Sequence, residues 1–567
     1  MPLVNDIRVG QMLLDERVIT PEQLEAGLQE QKKSKCLICT QLIRLGFASE
    51  ERIFSILSRQ LRIPYIRIRS TAIPPEIIKQ VPARFASHYR IMPLSSNGTV
   101  LTVAMADPLD MRVLDDLRLL LSVEVKGVLA SEDDIMEAIR GYYGVGAETL
   151  EKIMDSRDTA EEPGGKEEVE DLGSLADDAS IITFVNQILT EAIKARATDI
   201  HFEPYQNELR VRFRIDGLLY DIHIPDSIKF FHPAIVSRIK IMAQLNITER
   251  RFPQDGRIKI RINDQELDIR VSVLPTIFGE SVQVRILSAS GMLELGKLGL
   301  APSDMAAIES YIRKPHGIIF VTGPTGSGKS TTLYASLSRI NSEAVKIITI
   351  EDPVEYQMRG VNQIQVQPSI NFTFALALRH MLRHDPDVMM IGEVRDYETA
   401  EIAIRSALTG HLVFSTLHTN DAAGAVTRLL DMGIEPFLVA SSLECLIAQR
   451  LVRVICPECK EAVTGKKRDE MARCLEQCGA PEARVFEGRG CERCRKTGYF
   501  GRTAIYEILP VTEQIREMVT ARASSQQIKQ KAIEAGMKTL RQDGIAKVLS
   551  GTTTITEVMR VTQDSAW

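Results

Sequence analysis

Eight consecutive residues, Gly323-Pro324-Thr325-Gly326-Ser327-Gly328-Lys329-Ser330, carry the spacing G-x-x-x-x-G-K-S, and Thr331 follows. In such a loop the glycines let successive backbone N–H groups curl around phosphate oxygens, and a helix starting there adds the positive end of its dipole. The lysine reaches the β/γ-phosphates and the serine hydroxyl ligates Mg²⁺. The flanks meet the pattern's requirements. Gly317-Ile-Ile-Phe-Val-Thr322 reads as a buried strand, and Thr331-Thr-Leu-Tyr-Ala-Ser-Leu337 reads as a helix. A glycine-rich turn that binds nothing has no need of all three features together, so a nucleoside triphosphate is the expected ligand.

Carboxylates and histidines follow at intervals that suit phosphoryl chemistry. Val345-Lys-Ile-Ile-Thr-Ile350 is a strand ending in Glu351-Asp352-Pro353-Val354-Glu355, and Val388-Met-Met-Ile391 ends in Gly392-Glu393-Val394-Arg395-Asp396. Carboxylates at strand C-termini beside a phosphate loop sit where Mg²⁺ and the attacking water must be held. No Asp occupies the usual metal position after the second strand, so Glu393 must serve the metal or polarise the water, with Glu351 nearby. Thr409-Gly-His411-Leu-Val-Phe-Ser-Thr-Leu-His418 supplies two histidines that, taken singly, read as structural.

Cys456-Pro-Glu-Cys459 and Cys491-Glu-Arg-Cys494 are two C-x₂-C pairs 31 residues apart, the spacing of a four-thiolate Zn²⁺ site built from two knuckles. Cys474 and Cys478, four residues apart, are the rival ligands. Cys36 and Cys39 form a further C-x-x-C with no second pair nearby, which favours a structural reading.

The elements that position these groups belong to a chain of 567 residues, long enough for several domains. Apolar content of 44% and charged content of 25% are ordinary for globular proteins. A net charge of −6 argues against a protein that coats nucleic acid, so no nucleic-acid partner is expected. Neither a secretory signal nor an apolar run of membrane-spanning length is visible, which predicts a soluble, cytoplasmic protein.

Residues 1–64 contain an internal repeat. Leu13-Leu14, Val18-Ile19, Leu24, Leu28 and Gln31 recur 29 positions later as Leu42-Ile43, Phe47-Ala48, Ile53, Leu57 and Gln60. Thr20-Pro-Glu-Gln23 looks like a capping box with Pro at the first helical position, so each copy reads as a short helix, a turn and an amphipathic helix. The layout resembles the cyclic di-GMP-binding domain at the N-terminus of some secretion and pilus ATPases. That motif wants Arg and turn Gly in both copies. Here Arg17 stands at the first turn glycine, and Leu37 and Cys39 stand where Arg and Gly belong in the second. The resemblance therefore implies docking before ligand binding.

Residues 65–147 read as a small α/β unit around the Asn97-Gly98 hairpin signal. Residues 148–174 are acidic and nearly free of large apolar side chains, the composition of a flexible linker. From 175 to 290, arginines alternate with apolar residues in Leu209-Arg-Val-Arg-Phe-Arg-Ile215, Leu267-Asp-Ile-Arg270-Val-Ser-Val273 and Ser281-Val-Gln-Val-Arg285-Ile-Leu287, giving strands with one basic face. Such a face binds nucleic acid, meets a phosphate on a neighbouring subunit, or is simply solvated.

Taken together, T-G-P-T-G-S-G-K-S, I-E-D-P-V-E, D-P-D-V-M-M-I-G-E-V-R-D and T-G-H-L-V-F-S-T-L-H-T-N resemble the secretion ATPase superfamily of type II secretion and type IV pilus assembly nearly residue by residue. The resemblance implies a multidomain α/β fold: a RecA-like phosphate-loop core over 299–567 with a zinc-binding insertion at about 451–500, preceded by an α+β (PAS-like) domain, the linker and the helical module. It implies a homo-hexamer that hydrolyses ATP with magnesium at subunit interfaces. It also implies an inner-membrane platform protein and associated membrane assembly proteins as partners. By the same resemblance Glu393 is the catalytic glutamate, Glu351 and Glu355 form an acidic box near Mg²⁺, His411 and His418 sense the nucleotide, and Arg270 and Arg285 reach phosphate. The zinc insertion and long N-terminal region point to assembly or secretion rather than retraction. Type II pseudopilus assembly is the leading expectation, with pilus extension as the alternative. A DNA translocase, and a regulator in which the N-terminal module reads a second messenger, are the readings from other classes.

Overall fold

The computed structural model describes residues 4–34, 37–68, 72–107, 110–151, 179–262, 265–288, 294–468 and 483–562. The acidic stretch 148–174 falls almost wholly outside the described residues, as do Cys36, Cys474 and Cys478. The chain forms two compact units, Met1–Ser288 and Ala289–Trp567. No described helix is long and apolar enough to cross a membrane.

The first unit begins with the expected repeat, as helices Val4–Asp15, Pro21–Ser34, Ile38–Arg44 and Glu50–Leu61. Leu13 and Leu42, equivalent in the two copies, are both fully buried. The capping box is reciprocal: the Gln23 N–H donates to Thr20 Oγ1 over 3.3 Å, and the Thr20 N–H donates to Gln23 Oε1 over 3.0 Å. The two turn positions share a left-handed backbone, φ 54° at Arg17 and 72° at Gly46. A side chain is uncommon in that conformation, so the first copy keeps the turn without the glycine that favours it.

Strands β1 (Ile91–Ser96), β2 (Val100–Met105) and β3 (Glu124–Leu129) make the small α/β unit, with β1 and β2 antiparallel and β2 and β3 parallel. Six antiparallel strands follow: β4 (Ala197–Pro204), β5 (Leu209–Ile215), β6 (Leu218–Asp221), β7 (Gln254–Ile262), β8 (Gln265–Thr276) and β9 (Gly279–Ser288), in the order β6-β5-β4-β9-β8-β7. Period-two alternation sends Ile200, Phe202, Val211, Phe213, Ile269, Val271, Val282 and Val284 into one core, together with the helices Ala179–Lys194 and His232–Met242. The arginines therefore share the opposite face.

The second unit is a doubly wound sheet of seven strands. These are β10 (Gly317–Thr322), β11 (Ile347–Glu351), β12 (Val361–Gln365), β13 (Val388–Ile391), β14 (Leu412–Leu417), β15 (Leu443–Ile455) and β18 (Tyr499–Pro510), ordered β12-β11-β13-β14-β10-β15-β18. The short pair β16 (Lys460–Ala462) and β17 (Phe486–Gly488) lies between β15 and β18 in sequence. Every residue of β10, β13 and β14 is buried, because helices cover both faces of a parallel sheet. All their C-terminal ends lie at one edge, and the phosphate loop leaves from there.

Candidate active site

Loop 323–330 joins β10 to the helix Lys329–Ile340. Gly328 caps that helix at φ 88°, and a Cβ there would lie 2.7 Å from Nε2 of Gln449. A Cβ on Gly323 would lie 2.6 Å from the Gln449 carbonyl oxygen. Gln449 thus sits against the loop from β15, and its Oε1 accepts from Thr332 Oγ1 over 2.7 Å. Close backbone approach, and not turn geometry alone, requires these glycines.

Lys329 is almost fully buried, and its ammonium donates to the carbonyls of Gly323 and Pro324 over 2.7 and 3.1 Å. Burial lowers its pKa to about 8, with the Arg450 charge adding to the effect and Glu393 opposing it. A triphosphate brings anionic oxygens to the same ammonium. The donor set of loop N–H groups, Lys329 and the Ser330 hydroxyl fits a nucleotide with its Mg²⁺.

Glu393 lies just past β13. Its Oε1 accepts from Arg395, and its Oε2 lies 3.3 Å from Nε2 of His418, just past β14. Burial alone would raise this carboxyl, but Arg395 and His418 outweigh it and hold the group below the usual glutamate value. Glu351, at the end of β11, is buried. It accepts from Thr349 Oγ1 over 2.6 Å, from Gln363 Nε2 over 3.1 Å, and from the Tyr334 hydroxyl. That hydroxyl also accepts from the Glu355 backbone N–H over 3.2 Å, so Tyr334 ties the phosphate-loop helix to the acidic box.

The two histidines part company. His418 follows the C-terminal end of β14, beside Glu393, whereas His411 precedes its N-terminal end. Six residues of strand span roughly 20 Å, so the chain does not bring His411 to its own phosphate loop. The His411 ring instead bonds the Ser406 carbonyl over 3.0 Å in the preceding turn. The sequence box joined two residues that the strand between them holds at opposite ends.

On the first unit, strand register makes a row across five strands. Arg257 is opposite Arg270, Arg270 opposite Arg285, Arg285 opposite Asp199, and Asp199 opposite Arg214. Four guanidinium groups and one carboxylate thus share a row in which like charges stand directly opposite, an arrangement that is unfavourable by itself. Asp199 is buried and accepts from Arg285 Nε over 2.8 Å, Gln283 Nε2 over 3.1 Å and Thr198 Oγ1 over 2.8 Å.

Cys456, Cys459, Cys491 and Cys494 bring all four sulfurs within 4.8 Å of one another. Neighbouring sulfurs are 3.7 to 3.8 Å apart. Four thiolates on Zn²⁺ at ~2.3 Å make a tetrahedron with edges of about 3.8 Å, so the cluster has the size zinc requires. Backbone N–H groups of Gly490 and Gly498 donate to Cys459 and Cys494, each over 3.3 Å, as thiolates need.

The family described as "Type II/IV secretion system protein" matches residues 174–560, which contain every element of this site. The chain belongs to that family. Among its relatives, the type IV pilus assembly ATPase PilB of Myxococcus xanthus is 45% identical, covering 97% of this chain and 98% of that one. The type II secretion system protein E of Xanthomonas campestris is 41% identical over 99% of both chains. The crystal structure of the Legionella pneumophila ATPase DotB shares the fold, with a TM-score of 0.50 at 21% identity over 67% of this chain and 95% of that one. A second family, the MshEN domain, matches residues 61–149. That match falls on the small α/β unit, not on the helical repeat that carried the cyclic di-GMP resemblance. As a member of the secretion ATPase family the chain is an ATP-binding motor protein of secretion or pilus assembly.

Three residues at this secretion-ATPase site went unassigned in the sequence. Arg395 sits two positions after Glu393, and its only signal was that proximity. Tyr334 lay in an apolar helix pattern. Gln449 was legible as a polar residue inside the apolar run Leu443–Ile455.

Proposed function

We propose that the chain is a hexameric, Mg²⁺-dependent ATPase that powers assembly of a pseudopilus for type II protein secretion. The observation that carries the enzymatic part is the convergence of Lys329, Glu393 and His418 at the C-terminal edge of one sheet. Magnesium, when bound, neutralises charge on the phosphates. The Ser330 hydroxyl and Glu393 are the groups placed to hold it. Lys329 and residues 323–331 bind and orient the triphosphate. Glu393 polarises the water, backed by Glu351 and Glu355 from the neighbouring strand end, and His418 reports on the state of Glu393.

Arg270 and Arg285 we assign to a nucleotide phosphate, because their row is rich in guanidinium and poor in carboxylate. The four cysteines we assign to structural zinc. The N-terminal units, taken as 1–64 and 65–147, are docking modules for the inner-membrane platform protein and its membrane assembly partners, which would hold a cytoplasmic hexamer at the membrane. Cyclic di-GMP has no assigned place in this reading, since Arg17, Leu37 and Cys39 replace the residues that such binding uses.

Pilus extension is the second reading, favoured by the 45% identity to a PilB over nearly the full length of both chains. The two separate in one experiment: Lys329→Ala is introduced in the source cell, and protein export and surface pili are both measured. Loss of export with pili retained supports the pseudopilus. Loss of pili with export retained overturns it in favour of the second reading.

A further inference from the structure

Tyr334 is fully buried on the phosphate-loop helix, and its hydroxyl meets the acidic box. A phenol has one proton to donate. The Glu355 backbone N–H can only donate, and it donates to the Tyr334 oxygen over 3.2 Å. The phenol proton is therefore given to Glu351 Oε2.

The other bonds of Glu351 run in the same direction. Gln363 Oε1 accepts from the Met358 N–H over 2.7 Å, which turns its amide nitrogen toward Glu351 Oε1 and the Tyr356 carbonyl, each at 3.1 Å. The Thr349 hydroxyl donates to the same Oε1 over 2.6 Å. Donors from β11, β12 and the phosphate-loop helix thus converge on one buried carboxylate. Thr349 and Gln363 hold Oε1, and Tyr334 holds Oε2, so the plane of the carboxylate is fixed from both sides.

Glu351 abuts the strand end that carries Glu393. The Gly392 N–H donates to the Ile350 carbonyl over 2.8 Å, and a Cβ on Gly392 would lie 3.3 Å from Glu351 Cα. The Tyr334 ring packs edge-on against Tyr356, with centroids 4.6 Å apart at 71°. Packing needs only the ring. The hydroxyl bonds go to Glu351 and Glu355, not to residues 323–330.

We propose that Tyr334 is a positioning residue for ATP hydrolysis. Its hydroxyl orients the Glu351 carboxylate and the Glu355 backbone, so the phosphate-loop helix and the acidic box meet the nucleotide as one piece. The inference rests on the reading of Glu351 as the group that backs Glu393, and Tyr334 itself touches no reacting atom.

Tyr334→Phe keeps the ring and removes the hydroxyl. The full-length variant is compared with the unaltered protein and with Tyr499→Phe, which loses a hydroxyl bonded to Thr554 Oγ1 over 2.9 Å near the zinc knuckles. Two readouts are taken: kcat for ATP with Mg²⁺, and affinity for a fluorescent non-hydrolysable ATP analogue. Y334F should lower kcat roughly tenfold or more, the worth of one hydrogen bond to a charged group, with analogue affinity within about threefold. Y499F should leave both within about twofold. A Y334F loss in kcat below about threefold overturns the proposal. An affinity loss as large as the kcat loss does so too, because the hydroxyl then shapes the loop. So does a Y499F protein with the same kcat loss, because any missing phenol bond then slows turnover. Glu351→Gln is assayed alongside. If it turns over at the unaltered rate, the reading of Glu351 itself fails. If it is slow while Y334F equals the unaltered protein, only the task of Tyr334 fails.

Discussion

Arg285 donates from Nε to Oδ1 of Asp199 over 2.8 Å, and the two residues stand directly opposite each other on β9 and β4. One carboxylate thereby fixes the arginine through Nε while its neighbour in the row, Arg270, is another cation. A guanidinium held this way meets phosphate with its orientation already set. Arg285→Gln and Arg270→Gln should each lower kcat by up to roughly 10³- to 10⁵-fold, the range over which a phosphate-directed arginine acts. Both lie outside the phosphate loop in the sequence, so filter binding of radiolabelled ATP should remain within about threefold.

The same aspartate makes a pH prediction. Burial alone would raise the Asp199 carboxyl, but its bonds to Arg285 and Thr198 hold it below the ordinary aspartate value. The folded chain then binds fewer protons than the unfolded chain in the interval between the two values. Stability from this group is therefore complete above about pH 4 and is lost as pH falls through the lower, folded value. Asp199→Asn should destabilise the protein by roughly 2–3 kcal/mol at neutral pH, with the difference narrowing below pH 4. Urea midpoints of both proteins at pH 7 and pH 3 measure it.

Gly328 tests the loop sterically. Alanine there meets both an unfavourable φ of 88° and the Gln449 amide at 2.7 Å. Gly328→Ala should weaken ATP binding tenfold or more by equilibrium dialysis. Gly296, which has no left-handed φ and whose Cβ would meet nothing within 4 Å, is the control, and Gly296→Ala should bind ATP normally.

Zinc should be present at one ion per chain by atomic absorption. Cys491→Ser should lower that content and the melting temperature together. Losing about 2 kcal/mol in a domain of this size corresponds to roughly 5 °C. Chelation of the unaltered protein should reproduce the shift, and re-addition of zinc should reverse it.

The phosphate loop was legible because its conformations are local: glycine at positive φ and an apolar strand before a helix are written in adjacent residues. The buried strands β10 and β13 were legible for the same reason, as apolar runs. The helical repeat and its capping box at Thr20 and Gln23 were equally visible, since both depend on spacing within one helical turn. Relations between strands were not legible. Nothing local says that Arg257, Arg270, Arg285 and Asp199 fall into one row, because register depends on pairings up to 86 residues apart. His411 and His418 share one sequence box, but β14 lies between them, so their separation depends on the strand and not on their spacing. Arg395 was quoted as part of a motif, but its pairing with Glu393 depends on how the chain turns after β13.

In the proposed function Glu393 is the group that acts on water. Glu393→Gln keeps the size and the loop, and removes only the charge. Single-turnover hydrolysis of radiolabelled ATP with Mg²⁺, paired with ATP binding on the same preparation, tests this most directly. Binding should stay within about threefold of the unaltered protein, and hydrolysis should fall by at least about a hundredfold, the lower end of the range for positioned general bases. Hydrolysis within tenfold of the unaltered protein, with binding intact, would contradict it.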